Sequence, residues 1–459
     1  MIFKSKIINT NIVKIFSIAK NIVNKMYDEI INISKNIDKS INDIYNKPGK
    51  IYIEKKTTIK DGLNFNLHSA LLNCTHDNTT SYLNSKKSNN ISRQAYESRS
   101  TLFGYDELKQ INDNLFINNK KNNNNDDKIN NNASFCITNT KSNEYNSNYI
   151  DGTGINIYDK SDKLKYRKIN MLGITNDTNS LLFTDKIKQD NNSEINLFYK
   201  LIEQHPFEKN ELIVVDKLYF SKKFVNTCNN KNLKFIARIK YNSKALNLFN
   251  DYIKNPTKKY NYDPFNYSYN YYGNNIKVIS FKSNGEYINL VSNIKKQKKI
   301  DFFKSKYGDR WNVEIFFKHI KKNSSIDKIT SHNLKTINNV IMSASINQII
   351  IDRILYVYNH FNTNKKKTIN VTNFYNLYKS HLMYEIINNK ISFDEFYNAI
   401  ILNVSFYEQK INKELSKERY ALMPYTKWHY KHIANITKNK RINKKKDNKD
   451  NKDKKDNNG

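Results

Sequence analysis

Three carboxylates stand out by residue type and setting. Asp151 lies in Tyr149-Ile-Asp-Gly-Thr153, Asp216 closes Glu211-Leu-Ile-Val-Val-Asp216 after four apolar residues, and Glu314 lies in Lys306-Tyr-Gly-Asp-Arg-Trp-Asn-Val-Glu-Ile-Phe-Phe-Lys-His-Ile-Lys321. Carboxylate oxygens are the hard donors that Mg²⁺ prefers, and Mg²⁺ keeps positions open for water and phosphate. Two carboxylates on neighbouring strands and a third from a helix can hold a pair of ions roughly 4 Å apart across one phosphate. In such a pair one ion activates the attacking oxygen and the other stabilises the leaving oxygen. That chemistry needs no Ser, Tyr or Cys nucleophile.

The helix carrying Glu314 has two sides. At about 100° per residue, Tyr307, Arg310, Glu314 and Lys321 fall within an arc of roughly 60°. Val313, Phe316, Phe317 and Ile320 cluster on another, apolar side that can pack against a sheet. The polar stripe suits DNA, with Glu314 on metal, Arg310 and Lys321 on phosphate oxygens, and Tyr307 bonding or stacking. Taken by itself, the stripe also reads as an ordinary solvated face with an i,i+4 Arg310–Glu314 pair.

The elements that must position these residues follow from patterning. Tyr149–Tyr158, Lys165–Ile174 and Ser180–Ile187 read as strands, Ser193–Gln204 as a helix, and Glu211–Asp216 as a buried strand. A helix at Ser221–Asn230 and a strand at Leu233–Ile239 come next. Three strands, helix, strand, helix, strand is the order of a ribonuclease H-like α/β core, and the carboxyl ends of its central strands are where ligand groups gather. Strand candidates Asn275–Lys282 and Glu286–Ile294 lie in a Tyr/Asn-rich insertion. A long helix starts near Asp301, and further helices run to about Glu414.

This order divides the chain. Residues 1–50 are a polar segment with helical periodicity, and 51–117 a helical domain, expected to bind DNA, in which Ser92 is the expected N-cap of a helix. Residues 118–134, nearly all Asn, Lys and Asp, read as a disordered linker. The core occupies 135–240 and 301–362, interrupted by a β-rich insertion at 241–300. A helical region at 363–437 and a disordered basic tail at 438–459 complete the chain.

Lys and Arg total 77 against 43 Asp and Glu, a formal charge of +34. Polyanions are the natural partners of such a chain, because each neutralised phosphate releases condensed counterions. Cys74, Cys136 and Cys228 lack Cys-x-x-Cys spacing, which argues against a zinc ribbon or a disulfide framework. The most apolar stretch, Ile337–Phe361, carries Asn, Ser, Gln, Asp352 and Arg353 and reads as a buried helix, so no membrane partner is expected.

Other residues take duller readings. Asp159 and Asp162 are solvated loop carboxylates, and Glu194 is a first-turn acid favoured by the helix dipole. His319 is a packed or surface histidine. The tyrosines of Tyr260–Tyr272 read as part of an aromatic-rich β insertion, though their spacing could stack on bases. Lys444–Lys455 reads as a solvated run.

The Tyr307, Arg310, Glu314, Lys321 spacing matches the Tyr-Arg-Glu-Lys signature of the IS-four family of insertion-sequence transposases, and Arg310-Trp311 with Glu314, Phe317 and Lys318 resembles that family's run. Ile150-Asp-Gly-Thr153 is similar to its first-Asp motif. Val214-Val-Asp216 and Phe235-Ile-Ala-Arg238 resemble its second-Asp strand and the strand after it. Ile288–Ile294 looks like the last strand of its inserted β domain, and Ile91–Tyr96 like a run in its N-terminal helical domain. The resemblance covers roughly residues 60–360, in order. One departure is plain: after Asp216-Lys217 this chain has Leu218 where the family has Gly.

The resemblance implies a DDE transposase with a ribonuclease H-like core. Its catalytic and metal-binding residues would be Asp151, Asp216 and Glu314, holding two Mg²⁺ or, in substitution, Mn²⁺. Tyr307, Arg310, Lys321, Lys318 and Arg238 would bind DNA. The partners implied are double-stranded transposon ends and target DNA, met by a homodimer, in the nucleus of a eukaryotic host or at the nucleoid of a bacterium. The rival readings are a domesticated or decayed transposase that only binds DNA, another ribonuclease H-like nuclease, and a basic coating protein.

Overall fold

The structure, a computed structural model, describes residues 2–46, 57–72, 76–87, 90–121, 145–158, 166–176, 178–186, 193–283, 286–295, 298–324, 326–329, 331, 333–362, 367–401 and 408–410. The chain divides into two compact units, residues 1–282 with 287–411, and residues 283–286 with 412–459. Nearly everything described lies in the first. The expected tail at 438–459, Lys444–Lys455, Asp159, Asp162, Cys74 and Cys136 lie outside the described residues.

Five helices come first: α1 (Ile2–Tyr45), α2 (Ile59–Leu72), α3 (His76–Lys87), α4 (Arg93–Ser100) and α5 (Tyr105–Lys121). α1 buries Val23, Met26, Ile30, Ile33, Ile37, Ile41 and Ile44, an apolar stripe at helical spacing. α2 opens with a capping box, Thr58 N–H donating to Asp61 Oδ2 (2.6 Å) and Asp61 N–H to Thr58 Oγ1 (3.2 Å). Ser92 caps α4 by accepting from the Ala95 N–H, as its sequence predicts. Because α5 runs to Lys121, the stretch expected as a linker begins within a helix. The rest of that stretch, 122–134, lies outside the described residues.

The next elements are β1 (Ser147–Tyr158), β2 (Tyr166–Thr175), β3 (Ser180–Phe183), α6 (Glu194–Gln204), β4 (Leu212–Val215), α7 (Lys222–Asn230) and β5 (Lys234–Arg238). This is the order read from the sequence. Ser193 caps α6 and Ser221 caps α7, each accepting a backbone N–H of the first turn. β4 is Leu-Ile-Val-Val, buried throughout, as a parallel strand covered on both faces must be. The insertion contributes α8 (Asn247–Lys254), β6 (Asn266–Tyr271), β7 (Asn274–Ser283) and β8 (Glu286–Ser292).

All eight strands form one sheet in the order β3-β2-β1-β4-β5-β8-β7-β6. β1, β4 and β5 run parallel, while β2 is antiparallel to β1 and β8 to β5. The insertion therefore extends the central sheet. Tyr271 pairs with Asn274, so the β6–β7 connection is the two-residue turn Tyr272-Gly273, with φ of 50° and 81°. Such a turn demands left-handed backbone, which Gly273 supplies without cost and Tyr272 adopts at some.

The C-terminal elements are α9 (Ile300–Asp309), α10 (Trp311–Ser324), α11 (Leu334–Phe361), β9 (Lys367–Ile369), α12 (Val371–Leu377), α13 (Met383–Ile387), α14 (Phe393–Ile401) and β10 (Glu408–Lys410). The single helix expected from Asp301 is thus two, and β9 pairs with β10 where only helices are expected. α11 is long and apolar enough to cross a membrane by length and composition alone, yet most of it is buried in this fold. Its polar groups find partners there. Ser345 Oγ accepts from the Leu182 N–H, and Asn347 donates to Leu67 O and accepts from the Tyr378 hydroxyl. Arg353 donates to Glu29 and to Leu115 O. A buried hydrogen bond of this kind ties α11 to α1, α2, α5 and β3 more specifically than apolar packing alone.

Candidate active site

Register brings the first two carboxylates together. Ile150 of β1 pairs with Val215 of β4 in parallel, so Asp151 and Asp216 follow on adjacent strands where β4 ends. Across β1, Asp151 pairs with Gly173 of β2. A Cβ at Gly173 would lie 2.5 Å from the Phe317 ring, so the bare backbone there lets α10 come down onto the sheet. Val313, Phe316, Phe317 and Ile320 are buried in that contact, the apolar side expected for this helix.

The polar side faces the carboxylates. The chain breaks at Arg310, whose N–H bonds Tyr307 O (3.3 Å) and whose carbonyl accepts from Val313 N–H (3.1 Å), both tight i→i+3 turns between α9 and α10. Arg310 is 5 % exposed and binds Asp151 Oδ2 through one nitrogen and Glu314 Oε1 (3.1 Å) through another. Its Nε is buried with no hydrogen-bond partner among the described residues. The Tyr307 hydroxyl donates to Asp216 Oδ1 (3.1 Å), and the Lys321 ammonium donates to Thr153 Oγ1 (2.7 Å) and Gly154 O (3.1 Å). The break leaves the stripe of four residues on one side, so Tyr307, Arg310 and Lys321 meet β1 or the end of β4 while Glu314 joins them through Arg310.

A fourth carboxylate joins them. Glu194, in the first turn of α6, accepts from the Tyr219 hydroxyl at 2.5 Å. A Cβ on Gly152 would sit 1.9 Å from Glu194 Cδ, so the carboxylate lies over the residue after Asp151. Sequence reasoning assigned Glu194 only to the helix dipole and did not single out Tyr219. A usable signal was present in the spacing of Asp216 and Tyr219 and in a glycine beside Asp151, but neither names α6 as the neighbour.

The electrostatics of the cluster follow from burial and crowding. Burial raises Asp151, with Asp216 adding repulsion and Arg310 opposing both. Burial likewise raises Glu314 and Glu194, each repelled by Asp151 and Asp216. Burial works against the charge on Arg310, but Tyr307, Asp151, Asp216 and Glu314 together hold its pKa above the ordinary value. Burial and the charge of Asp216 push the Tyr307 hydroxyl up. Burial and Lys168 lower Lys321. Four carboxylates crowd here around one buried guanidinium, with Lys321, Lys168 and Arg238 as further cations nearby.

The remaining candidates sit further out. Arg238 ends β5, near enough to Tyr307 for its charge to act on that hydroxyl. Lys318 is exposed one turn beyond Glu314. Beside it His319 is held down to about 4 by burial and by Lys318 and Lys322. Of the insertion tyrosines, Tyr262 and Tyr272 are exposed, with the Lys222 ammonium 5.1 Å from the Tyr272 ring centre. Cys228 is buried and free, and burial pushes its thiol up.

Residues 145–347 match the family model described as the transposase DDE domain, a stretch that contains every candidate residue above. The match supports a DDE transposase. Among curated proteins none matches the chain. Among solved structures the chain is similar to a piggyBac transposase in a synaptic complex with hairpin DNA, determined by cryo-EM. The identity is 10 % and the TM-score 0.35, over 89 % of this chain and 82 % of that one.

Proposed function

We propose that the protein is a DNA transposase, of the insertion-sequence type that the Tyr307-Arg310-Glu314-Lys321 spacing resembles, with a ribonuclease H-like core. It cleaves transposon ends and joins the freed 3′-OH to target DNA. The observation that carries this reading is the convergence of Asp151, Asp216 and Glu314 on one side of α9–α10, at the carboxyl end of β4.

The residues suit divalent cations. Four carboxylates face one guanidinium, and their mutual repulsion is the environment a divalent cation relieves. Among the described residues no three acidic, His or Cys side chains are gathered tightly enough to close on one ion, and Arg310 is bonded to both Asp151 and Glu314. An ion held by Asp151 and Glu314 would displace Arg310 from them. Asp151, Asp216 and Glu314 would hold two Mg²⁺, or Mn²⁺ in substitution. When bound, the ions would polarise a phosphodiester and lower the pKa of the attacking water or hydroxyl.

The chain's own residues do the rest. The Arg310 guanidinium, freed from its carboxylates, offers a fork to phosphate oxygens. Lys321 holds its ammonium on Thr153 and Gly154, beside the first-Asp motif, and with the exposed Lys318 and Arg238 it neutralises the DNA backbone. Tyr307 orients Asp216. Water attacks a phosphodiester at the transposon end, leaving a 3′-OH on the element. That hydroxyl attacks a target phosphodiester and expels the target's 3′ oxygen. Two ends must be cut together, so the working form is a homodimer on double-stranded DNA, in the nucleus of a eukaryotic host or at a bacterial nucleoid.

The test is a cleavage and strand-transfer assay on DNA from both flanks of the gene, with Mg²⁺ or Mn²⁺, beside Asp151→Ala, Asp216→Ala and Glu314→Ala. Wild type should nick at a discrete site and join 3′ ends. Each variant should bind DNA but lose on the order of 10³-fold or more in cleavage. Binding without metal-dependent cleavage by all four proteins would leave a DNA-binding relic instead. Cleavage without joining would leave another nuclease.

A further inference from the structure

We infer that Glu194 is a fourth carboxylate of the divalent-cation site, presented beside Asp151 by Tyr219 and by the absence of a side chain at Gly152. This rests on the metal-dependent reading above and extends it to a residue on a different element, α6.

The ordinary account of a first-turn acid is the helix dipole, which any solvated carboxylate at that position satisfies. It does not explain where Glu194 is. Its neighbours Ile195 and Asn196 are exposed, whereas Glu194 is half-buried and turned onto β1. Its carboxylate lies so close over Gly152 that one methyl there would overlap it. Tyr219, buried and three residues after Asp216, donates to it at 2.5 Å, so the loop that follows the second Asp also fixes Glu194. The structure thus directs an acid towards other acids, in spite of repulsion from Asp151 and Asp216. Like charges gathered in a half-buried place are relieved by protonation or by a cation, and a divalent cation relieves several of them at once.

The buried cation present, Arg310, is bonded to Asp151 and Glu314 and not to Glu194. Glu194 has instead a neutral phenol and the more distant charge of Lys168. Like Asp216, which accepts from the Tyr307 hydroxyl, it can take a cation without first breaking an Arg310 ion pair. Glu194 would therefore hold an ion together with the proposed ligands Asp151 and Asp216, without waiting on Arg310.

The test is Mn²⁺ binding to the full chain by titration calorimetry, without DNA, for wild type, Glu194→Gln, Gly152→Ala and Asp151→Asn, with thermal unfolding in EDTA as the folding check. Gly152→Ala displaces the Glu194 carboxylate without removing it, and keeps the question open to test if Glu194→Gln misfolds. The expected result is a 10–100-fold weaker Mn²⁺ affinity for both Glu194→Gln and Gly152→Ala, on the scale seen when metal-site groups are removed. Unfolding in EDTA should be unchanged or slightly higher for Glu194→Gln, since a repulsion is removed. Loss of affinity in Asp151→Asn with wild-type affinity in the other two overturns the role of Glu194 and leaves the metal-dependent reading standing. A lowered unfolding temperature with unchanged affinity makes Glu194 purely structural and overturns it as well. No Mn²⁺ uptake by wild type overturns both.

Discussion

Arg353 and Arg310 are both deeply buried arginines bound to carboxylates, one in the helical body and one against the sheet. The Arg353 side chain is fully buried and bonds Glu29 (2.6 Å) and Leu115 O (3.1 Å), one cation with one anion and a carbonyl. Arg310 is nearly as buried but meets Asp151 and Glu314 directly, with Asp216 close by. Each also keeps one buried nitrogen without a hydrogen-bond partner among the described residues, Nη2 of Arg353 and Nε of Arg310. The first pair balances its charge and joins α1, α5 and α11. The second sits among more carboxylates than it bonds, a crowding that the proposed metal-dependent chemistry would use. Burial and pairing alone do not distinguish the two arginines. The number of carboxylates around each does.

That contrast can be broken by truncation. Arg353→Ala should cost about 3–5 kcal/mol, because Glu29 is left uncompensated in the interior, and Mg²⁺ should restore none of it. Arg310→Ala should also unfold at a lower temperature in EDTA, but added Mg²⁺ should recover most of the loss by taking over the carboxylates. Thermal unfolding with and without Mg²⁺ separates the two, and equal responses to Mg²⁺ would remove the distinction.

A smaller effect belongs to the helical region. His68 is buried and stacked on Tyr82, and burial followed by the charge of Lys379 lowers its pKa to about 4. The folded value lies below the ordinary 6.5, so the unfolded chain binds the proton more readily. Stability should therefore be unaffected above about pH 6.5 and fall as pH drops towards 4, by on the order of 3 kcal/mol. Urea unfolding between pH 7 and 4 should show that slope in wild type and lose part of it in His68→Gln. An identical slope in the variant would assign the pH dependence elsewhere.

The smallest effect sharpens the comparison at the site itself. Tyr307→Phe removes one hydrogen bond to Asp216 and should change stability by only about 1 kcal/mol. Cleavage should fall more than that, since Asp216 loses the group that orients it. Equal losses in stability and in cleavage would reduce Tyr307 to a packing residue.

Much of the site was legible in the chain because its signals are local. Four apolar residues followed by Asp mark a buried parallel strand ending in a carboxylate, and β4 is that strand. Ser92, Ser193 and Ser221 announce helix starts, because a side-chain oxygen caps backbone N–H groups only a few residues away. Helical spacing grouped Tyr307, Arg310, Glu314 and Lys321, yet it implied one continuous helix and missed the break at Arg310. β6, Asn266–Tyr271, was hidden by Tyr/Asn composition that lacks a clear apolar alternation.

The sequence by itself determined the order of the α/β elements, the basic character and the three carboxylates, since each depends on residue type and short-range spacing. The tertiary structure alone decided what those residues meet. It set α1, polar in composition, against the apolar α11 through partners such as Glu29 and Arg353, 324 positions apart in the chain. It also brought Glu194 over Gly152. Contacts across such separations are chosen by packing of the whole core, and no local pattern carries that information.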